Sequence, residues 1–553
     1  MARPLPPIRE FLVALALTLG TAQAAETENS GALPEPGEDP SNPIVVVEPP
    51  GKIQMSEGIP ALPIDDIGVS ELAGPEMGIN VWQGNSFEEL HQLSTGVRGV
   101  NDPLLRDWLR TLWTIKALPP EKVVPQGAWL RLRLAKLLAA GRTPMAKQLL
   151  DQIPESVREA SMDGAIADIL LLESPLKETC AKTAEMLALR PSPSFQRLSL
   201  LCQASEKNTA ALELNLTLLE EQNQLSEPML KDMLRRIAAG KRGGEAKLAQ
   251  PSSMLLGATA GTAGMEFQES FFPQANTALL RFLTREETAH PATRALAVEA
   301  LILRDFGTPK NLADAYALVV NRQEEVKSAK ALLARAKAAA SLETEKEVQE
   351  AAALFRKSGQ EKALAILLAA REPMKLSDDA MLALIVRACV LQDDLDKAHG
   401  WLEANHFVLE ETRAAALDLA LHVAEKGSAD AAALEDFLTL DTTALKDAKA
   451  ARVATAARIA ETLGEALPEQ MGALKAAYGP AGPEEATRIQ ALLASAGAGR
   501  TGETLLRIAH FAKSGAWRGS PEAMAAVVSA LQQLGWKDEA ADLARNILLD
   551  AAL

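Results

Sequence analysis

Cys180 and Cys202 stand eleven positions either side of residue 191, within the Pro-rich turn Arg190-Pro191-Ser192-Pro193. Their flanks, Leu176 to Leu189 and Phe195 to Ala204, are amphipathic at helical spacing. If the two segments fold as an antiparallel helix pair, the thiols come level, and the spacing predicts a disulfide between Cys180 and Cys202. The competing reading is two buried free thiols acting as small hydrophobes. Cys389, inside the apolar run from Ala383 to Leu391, reads as a core residue with no partner. None of the three cysteines belongs to a Cys-x-x-Cys pair, which argues against a metal site.

A disulfide requires an oxidising compartment, and the N-terminus supplies a route to one. Arg3 and Arg9 precede the apolar stretch Phe11 to Leu19, which is too short to span a bilayer. Ala22-Gln23-Ala24 then has the small-x-small pattern of a cleavage site. Residues 1–24 are therefore expected to be a signal peptide cut after Ala24, placing the mature chain in the periplasm. An uncleaved anchor is the alternative. No later run of about 18 apolar residues predicts a membrane helix. Residues 25–76 are rich in Pro, Gly, Glu and Asp, bury little apolar surface, and are expected to form a disordered acidic tether. Ile44-Val45-Val46-Val47 is the one segment there able to add as a strand to a partner's sheet.

Beyond the tether the chain is helical in character. Aromatic residues make up only 4%, and Ala, Leu, Glu and Lys dominate. Ser86-Phe87-Glu88-Glu89 has the pattern of a capping box. Short amphipathic stretches then alternate with Pro or Gly breaks, among them Pro103, Gly141, Pro154, Pro228, Gly359 and Gly535, with no strand ladder between them. A loose signature recurs: a turn residue, Ala five positions on, then apolar residues. It occurs at Gly141…Ala146…Leu149-Leu150, Asp393…Ala398…Trp401-Leu402 and Gly535…Ala540…Leu543, and one residue shorter at Gly359…Ala363…Leu367. This resembles the second half of a tetratricopeptide unit. The expected fold is all-α, a solenoid of helical hairpins (degenerate TPR-like) behind a disordered N-terminal segment. One block spans 77–240 and another 266–553, joined by a Gly-rich linker at 241–265.

Chemistry is harder to find. The formal net charge of −16 argues against a nucleic-acid partner, which needs a basic face. The glycines of 241–265 fit neither a phosphate-binding loop nor a dinucleotide fingerprint. His399, Glu403 and His406 share a helix face at a spacing a metal could use, but they read as solvated polar residues around a helix end rather than as ligands. Glu220-Glu221 and Asp393-Asp394 are adjacent and diverge on a helix, so neither pair is able to flank a bond. Trp82, Trp108, Trp113 and Trp129 are expected in the core, with a ligand cleft as the alternative. No catalytic residue, cofactor or metal site is predicted.

Several stretches occur together: Val81-Trp82-Gln83-Gly84; Asp102-Pro103-Leu104-Leu105-Arg106 with Arg110; Cys180; Phe195-Gln196-Arg197-Leu198 followed by Leu201-Cys202-Gln203-Ala204; and Leu218-Leu219-Glu220-Glu221-Gln222. As a set they resemble a family of uncharacterised exported proteins from alphaproteobacteria, some of them named "antifreeze glycopeptide polyprotein". The resemblance covers roughly Leu72 to Asn223. It implies an exported helical-repeat protein and brings no site residues. No regular Thr array supports ice binding.

Two functions follow. The first is a non-enzymatic periplasmic scaffold or adaptor, holding envelope proteins on a helical-repeat surface. The second is an enzyme or solute-binding protein whose site is assembled from scattered residues; a pocket with converging carboxylates or histidines favours it, and a featureless concave face counts against it.

Overall fold

A computed structural model describes residues 64–69 and 77–552, except 98–99, 101, 154–157, 159, 226, 247–252, 327, 427–446, 465–481, 513–516 and 518. The expected signal peptide with its cleavage after Ala24, and Ile44–Val47, lie outside the described residues. The first helices are α1 (Phe87–Gly96), α2 (Pro103–Thr114), α3 (Ala128–Ala139), α4 (Thr143–Asp151), α5 (Asp163–Glu173), α6 (Leu176–Leu189), α7 (Pro193–Ser205), α8 (Thr209–Glu221) and α9 (Pro228–Ala238). Next come α10 (Met254–Thr262), α11 (Thr277–Arg285), α12 (Pro291–Leu303), α13 (Pro309–Asn321), α14 (Lys330–Ala340) and α15 (Glu345–Lys357). They are followed by α16 (Glu361–Ala369), α17 (Asp379–Val390), α18 (Leu395–Asn405) and α19 (Glu411–Lys426). The last described helices are α20 (Asp447–Thr462), α21 (Pro483–Gly497), α22 (Thr501–Ala509), α23 (Pro521–Gln533) and α24 (Lys537–Ala551). The protein is all-α and solenoid-like. Most helices pack on the next in sequence, and α3, α5, α7 and α9 also pack on alternate neighbours. The only sheet among the described residues is a two-residue parallel pair, Glu245–Ala246 with Glu266–Phe267.

Local chemistry sets the helix ends. At α1 the Ser86 hydroxyl accepts from Glu89 N while the Glu89 carboxylate accepts from Ser86 N at 2.8 Å, closing the capping box. The recurring turn signature is a helix stop. Gly141, at φ +70°, donates its N–H to Leu138 O, and Arg142 N reaches Leu137 O at 2.8 Å. These two bonds are the Schellman pattern, in which a left-handed residue turns the last carbonyls inward. The same pair of bonds ends α15, α17 and α23 at Gly359, Asp393 and Gly535. Asp393 does so without being glycine, at φ +60°. The following Ala146, Ala363, Ala398 and Ala540 are all fully buried, so each small residue admits the preceding helix.

The Pro191 turn also behaves as its spacing predicts. Helices α6 and α7 pack together, and Cys180 and Cys202 meet at disulfide distance with Cα atoms 5.4 Å apart. Reduction is expected to lower the stability of the oxidised protein by about 3 kcal/mol through loop entropy. Urea midpoints with and without reductant measure this. The double variant Cys180→Ser, Cys202→Ser should show no response to reductant.

Two expected boundaries fall differently. Residues 64–69, read as the end of the tether, dock on the first helices. The Asp65 carboxylate accepts from Gly127 N (2.7 Å) and Leu130 N (3.0 Å), capping α3. Arg133 then donates to three carbonyls, Trp113 O, Ile115 O and Ile67 O, at 2.6–2.8 Å, tying the segment down. The capping carboxylate comes from 62 residues before the helix, so no local pattern signals it. The Gly-rich 241–265 stretch, read as a linker, contains the buried helix α10. A Cβ on Gly257 or Gly261 would meet Leu279 or Leu283 of α11 at 2.4 and 2.6 Å. Those glycines serve close helix packing rather than chain freedom. Leu62–Leu553 forms one compact unit.

The solenoid does not stay open. Helices α1 and α2 pack on α22, and α2 also packs on α24. Gly502 N donates to Val81 O (3.0 Å), and Asn85 Nδ2 to Glu503 Oε2 (2.7 Å). Asp102 caps α2 through Leu105 N (2.9 Å) and accepts from Asn546 Nδ2 of α24 (2.9 Å). Val81 to Gly84 and Asp102 to Arg106, singled out in the sequence, therefore stand where the chain closes on itself.

Candidate functional site

Apart from this closure, the helices of the first 360 residues line an open cavity of about 1300 Å³. Three helices each give it one i, i+3, i+4, i+7 face: Arg106, Leu109, Arg110 and Trp113 from α2; Gly164, Ala167, Asp168 and Leu171 from α5; Leu296, Glu299, Ala300 and Leu303 from α12. α7 adds Arg197 and Leu198, the turn before α4 adds Arg142, and the end of α12 adds Arg304 and Phe306. The wall carries six cations against four carboxylates, within a chain of net charge −16. Two of those carboxylates, Glu299 and Glu269, are engaged by Arg335 behind the wall.

The cations converge. The Arg106 guanidinium lies 4.0 Å over the Phe306 ring and that of Arg142 lies 5.4 Å from its centroid. Arg106 donates to the carbonyls of Arg304 and Asp305. Arg142 pairs with the half-exposed Asp107, which stands 4.0 Å from Arg110. Arg304 is fully engaged, donating to Thr277 Oγ1 and to the carbonyls of Phe272 and Pro273. The buried Nε atoms of Arg106, Arg110 and Arg142 have no hydrogen-bond partner among the described residues. Burial, together with the like charges of Arg106 and Arg110, lowers Arg142 to about 10 against the pull of Asp107. The group stays charged at neutral pH, and its crowding is a standing electrostatic cost.

Across the cavity, burial raises the Asp168 carboxyl to about 6, with Arg197 opposing it. An unfolded aspartate loses its proton near 3.8, so between about pH 4 and 6 the folded form holds a proton that the unfolded form has released. Stability therefore falls as pH rises through that window. Asp168→Asn is expected to stabilise by about 1–3 kcal/mol above pH 6 and by nothing below pH 4. Urea midpoints at pH 4 and pH 7.5 measure it; an equal gain at both would rule the explanation out.

The residues singled out earlier are dispersed. Trp82, Trp113 and Trp129 form a buried aromatic cluster with centroids 4.7–5.9 Å apart, while Trp108 packs edge-on to Trp536. Only Trp113 reaches the cavity. His399 is paired with Glu425 at 2.7 Å, and His406 sits in the short 3-10 turn after α18. No group of three His, Cys, Asp or Glu among the described residues is arranged to hold a metal. The cavity arginines were missed as a site. Their one sequence signal is that Arg106 and Arg110 share a helix face with Leu109 and Trp113, where a solvated stripe would be polar throughout.

No known family, curated protein or solved structure matches this chain. No helix among the described residues is long and apolar enough to cross a membrane.

Proposed function

We propose that this is an exported, non-enzymatic binding protein of the periplasm that holds a small organic guest inside its helical frame. One observation carries the reading: α2, α5, α7, α12 and the turns beside them line a cavity of about 1300 Å³ with both apolar and charged walls. Ligand sites commonly combine an apolar lining with a few convergent polar groups, at volumes of about 300–1000 Å³. A signal peptide cleaved after Ala24 and a Cys180–Cys202 bond fit the same compartment. Native mass spectrometry of the protein released gently from its own envelope tests it. The expected result is a small-molecule mass that disappears on denaturation. A bare polypeptide mass in every preparation counts against it.

A second reading, the adaptor, has its own observation. Helices α13, α14 and α16 line an apolar groove of about 730 Å³ whose walls include Ala313, Ala317, Val320, Ala336, Ala339 and Leu367. Small residues at such spacing suit an amphipathic helix from an envelope partner. In-cell crosslinking from this groove should recover a reproducible partner, and Ala317→Trp should abolish the crosslink. Failure to recover one removes the adaptor reading.

A further inference from the structure

We propose that Arg106 and Arg142 at the Phe306 ring, with Arg110 on the same cavity wall, seat the oxyanion head of an amphiphilic organic anion whose apolar body lies against Leu109 and Trp113. This rests on the reading of the cavity as a guest site and names the class of guest.

Three guanidinium groups are held close together on a partly buried wall, although mutual repulsion and desolvation both oppose the arrangement. The protein's own anion there, Asp107, engages Arg142 but stands 4.0 Å from Arg110, and its side chain is 47% exposed. The Arg110 guanidinium makes no hydrogen bond among the described residues, and the three buried Nε–H groups remain unused. Buried donors without acceptors are uncommon in folded proteins, and each one asks for a partner. Guanidinium groups present forked donors that match carboxylate and phosphate oxygens, so an oxyanion satisfies both the charge and the geometry. Arg304 differs, because its Nη donors already serve Thr277 and two carbonyls. It anchors the Phe306 turn together with Arg106, whose Nη1 donates to the Arg304 and Asp305 carbonyls, while Arg142 is paired with Asp107 and Arg110 is the least engaged of the four. Leu109 and Trp113 follow Arg106 on the same face of α2, so an apolar body extends naturally from a head bound at Arg106 and Arg110.

The test uses the mature, oxidised protein and four probes in isothermal titration: decanoate, decyl phosphate, 1-decanol and inorganic phosphate. The two amphiphilic anions are expected to bind at least about 10-fold more tightly than decanol or inorganic phosphate. Arg110→Gln should weaken both anions about 10- to 100-fold and leave decanol unchanged. Because the Arg110 guanidinium makes no hydrogen bond within the described protein, this variant should fold normally; Arg142→Gln is the second variant and should act in the same direction. Asp107→Asn removes the competing carboxylate and should tighten decanoate binding several-fold, an effect no purely structural role predicts. Equal affinity for decanoate and decanol, unaffected by Arg110→Gln, overturns the anion seat while leaving the guest cavity intact. Inorganic phosphate binding as tightly as decyl phosphate overturns the amphiphile. Silence from all four probes also overturns the seat, and the co-purified mass then decides the cavity reading alone.

Discussion

Glu299→Ala is expected to destabilise the protein by about 3–5 kcal/mol. Glu299 and Arg335 are each about 1% exposed and meet in a two-pronged contact of 2.9 and 2.8 Å, with Tyr316 donating to the same carboxylate at 2.6 Å. Burial opposes the charge on Arg335, and Glu299 more than restores it. Alanine would leave that guanidinium in the interior with only Glu269, which is largely exposed. The cost is that of a stranded charge, not the net worth of the pair. Replacing both partners together, as Glu299→Leu with Arg335→Met, should therefore cost less than Glu299→Ala alone. Urea midpoints of the two variants decide it. A double variant less stable than the single one would reject this account.

Arg387→Met should cost a comparable amount, about 3–5 kcal/mol, and should do so in a pH-dependent way. Arg387 of α17 donates to Asp550 of α24 at 2.8 Å and to both oxygens of Asp305 at 3.2 Å. Burial opposes its charge, and the two carboxylates overcome that and raise its pKa. Asp305 holds a positive φ of 54° in the turn whose carbonyl receives Arg106, and Asp550 also accepts from Trp517 N. One guanidinium thus joins the cavity wall to the last helix. With methionine there, Asp550 loses its arginine partner and Asp305 is left with Lys362 at 3.9 Å, both carboxylates being only 10–12% exposed. Protonation relieves the cost of a buried carboxylate deprived of a guanidinium partner. The variant's deficit is accordingly largest at neutral pH and shrinks as pH falls toward 4. A deficit constant from pH 4 to 8 would assign the loss to packing instead. Because the Trp517 backbone meets Asp550 at this junction, tryptophan emission should shift in parallel with the loss of stability.

Much of the fold was legible because its determinants are local. The Ser86 capping box, the left-handed stops at Gly141 and Gly359, and the buried Ala146 and Ala363 each depend on residues within a turn or two. Cys180 and Cys202 follow the same logic, since a short turn between two helices fixes their level. Asp65 was misjudged for the opposite reason. Its neighbours are prolines and acids, which by composition suit a tether, yet it caps a helix 62 residues away. Gly257 and Gly261 were misjudged because glycine serves both loose chain and the tightest helix contacts. Which role applies depends on whether Leu279 and Leu283 lie opposite.

The amino-acid order by itself determined a succession of α-helices with defined ends and one hairpin that brings Cys180 and Cys202 to disulfide distance. Periodicity, capping and spacing act over a few residues and need no knowledge of the rest. Tertiary structure alone decided that Asn85 meets Glu503, that Asp102 meets Asn546, and that Arg106 reaches the Arg304 turn. An arginine on a helix face is solvated or enclosed according to what packs opposite. Here Arg106 meets carbonyls 198 and 199 residues away, and only the folded chain brings Arg106, Arg110 and Arg142 onto one cavity wall.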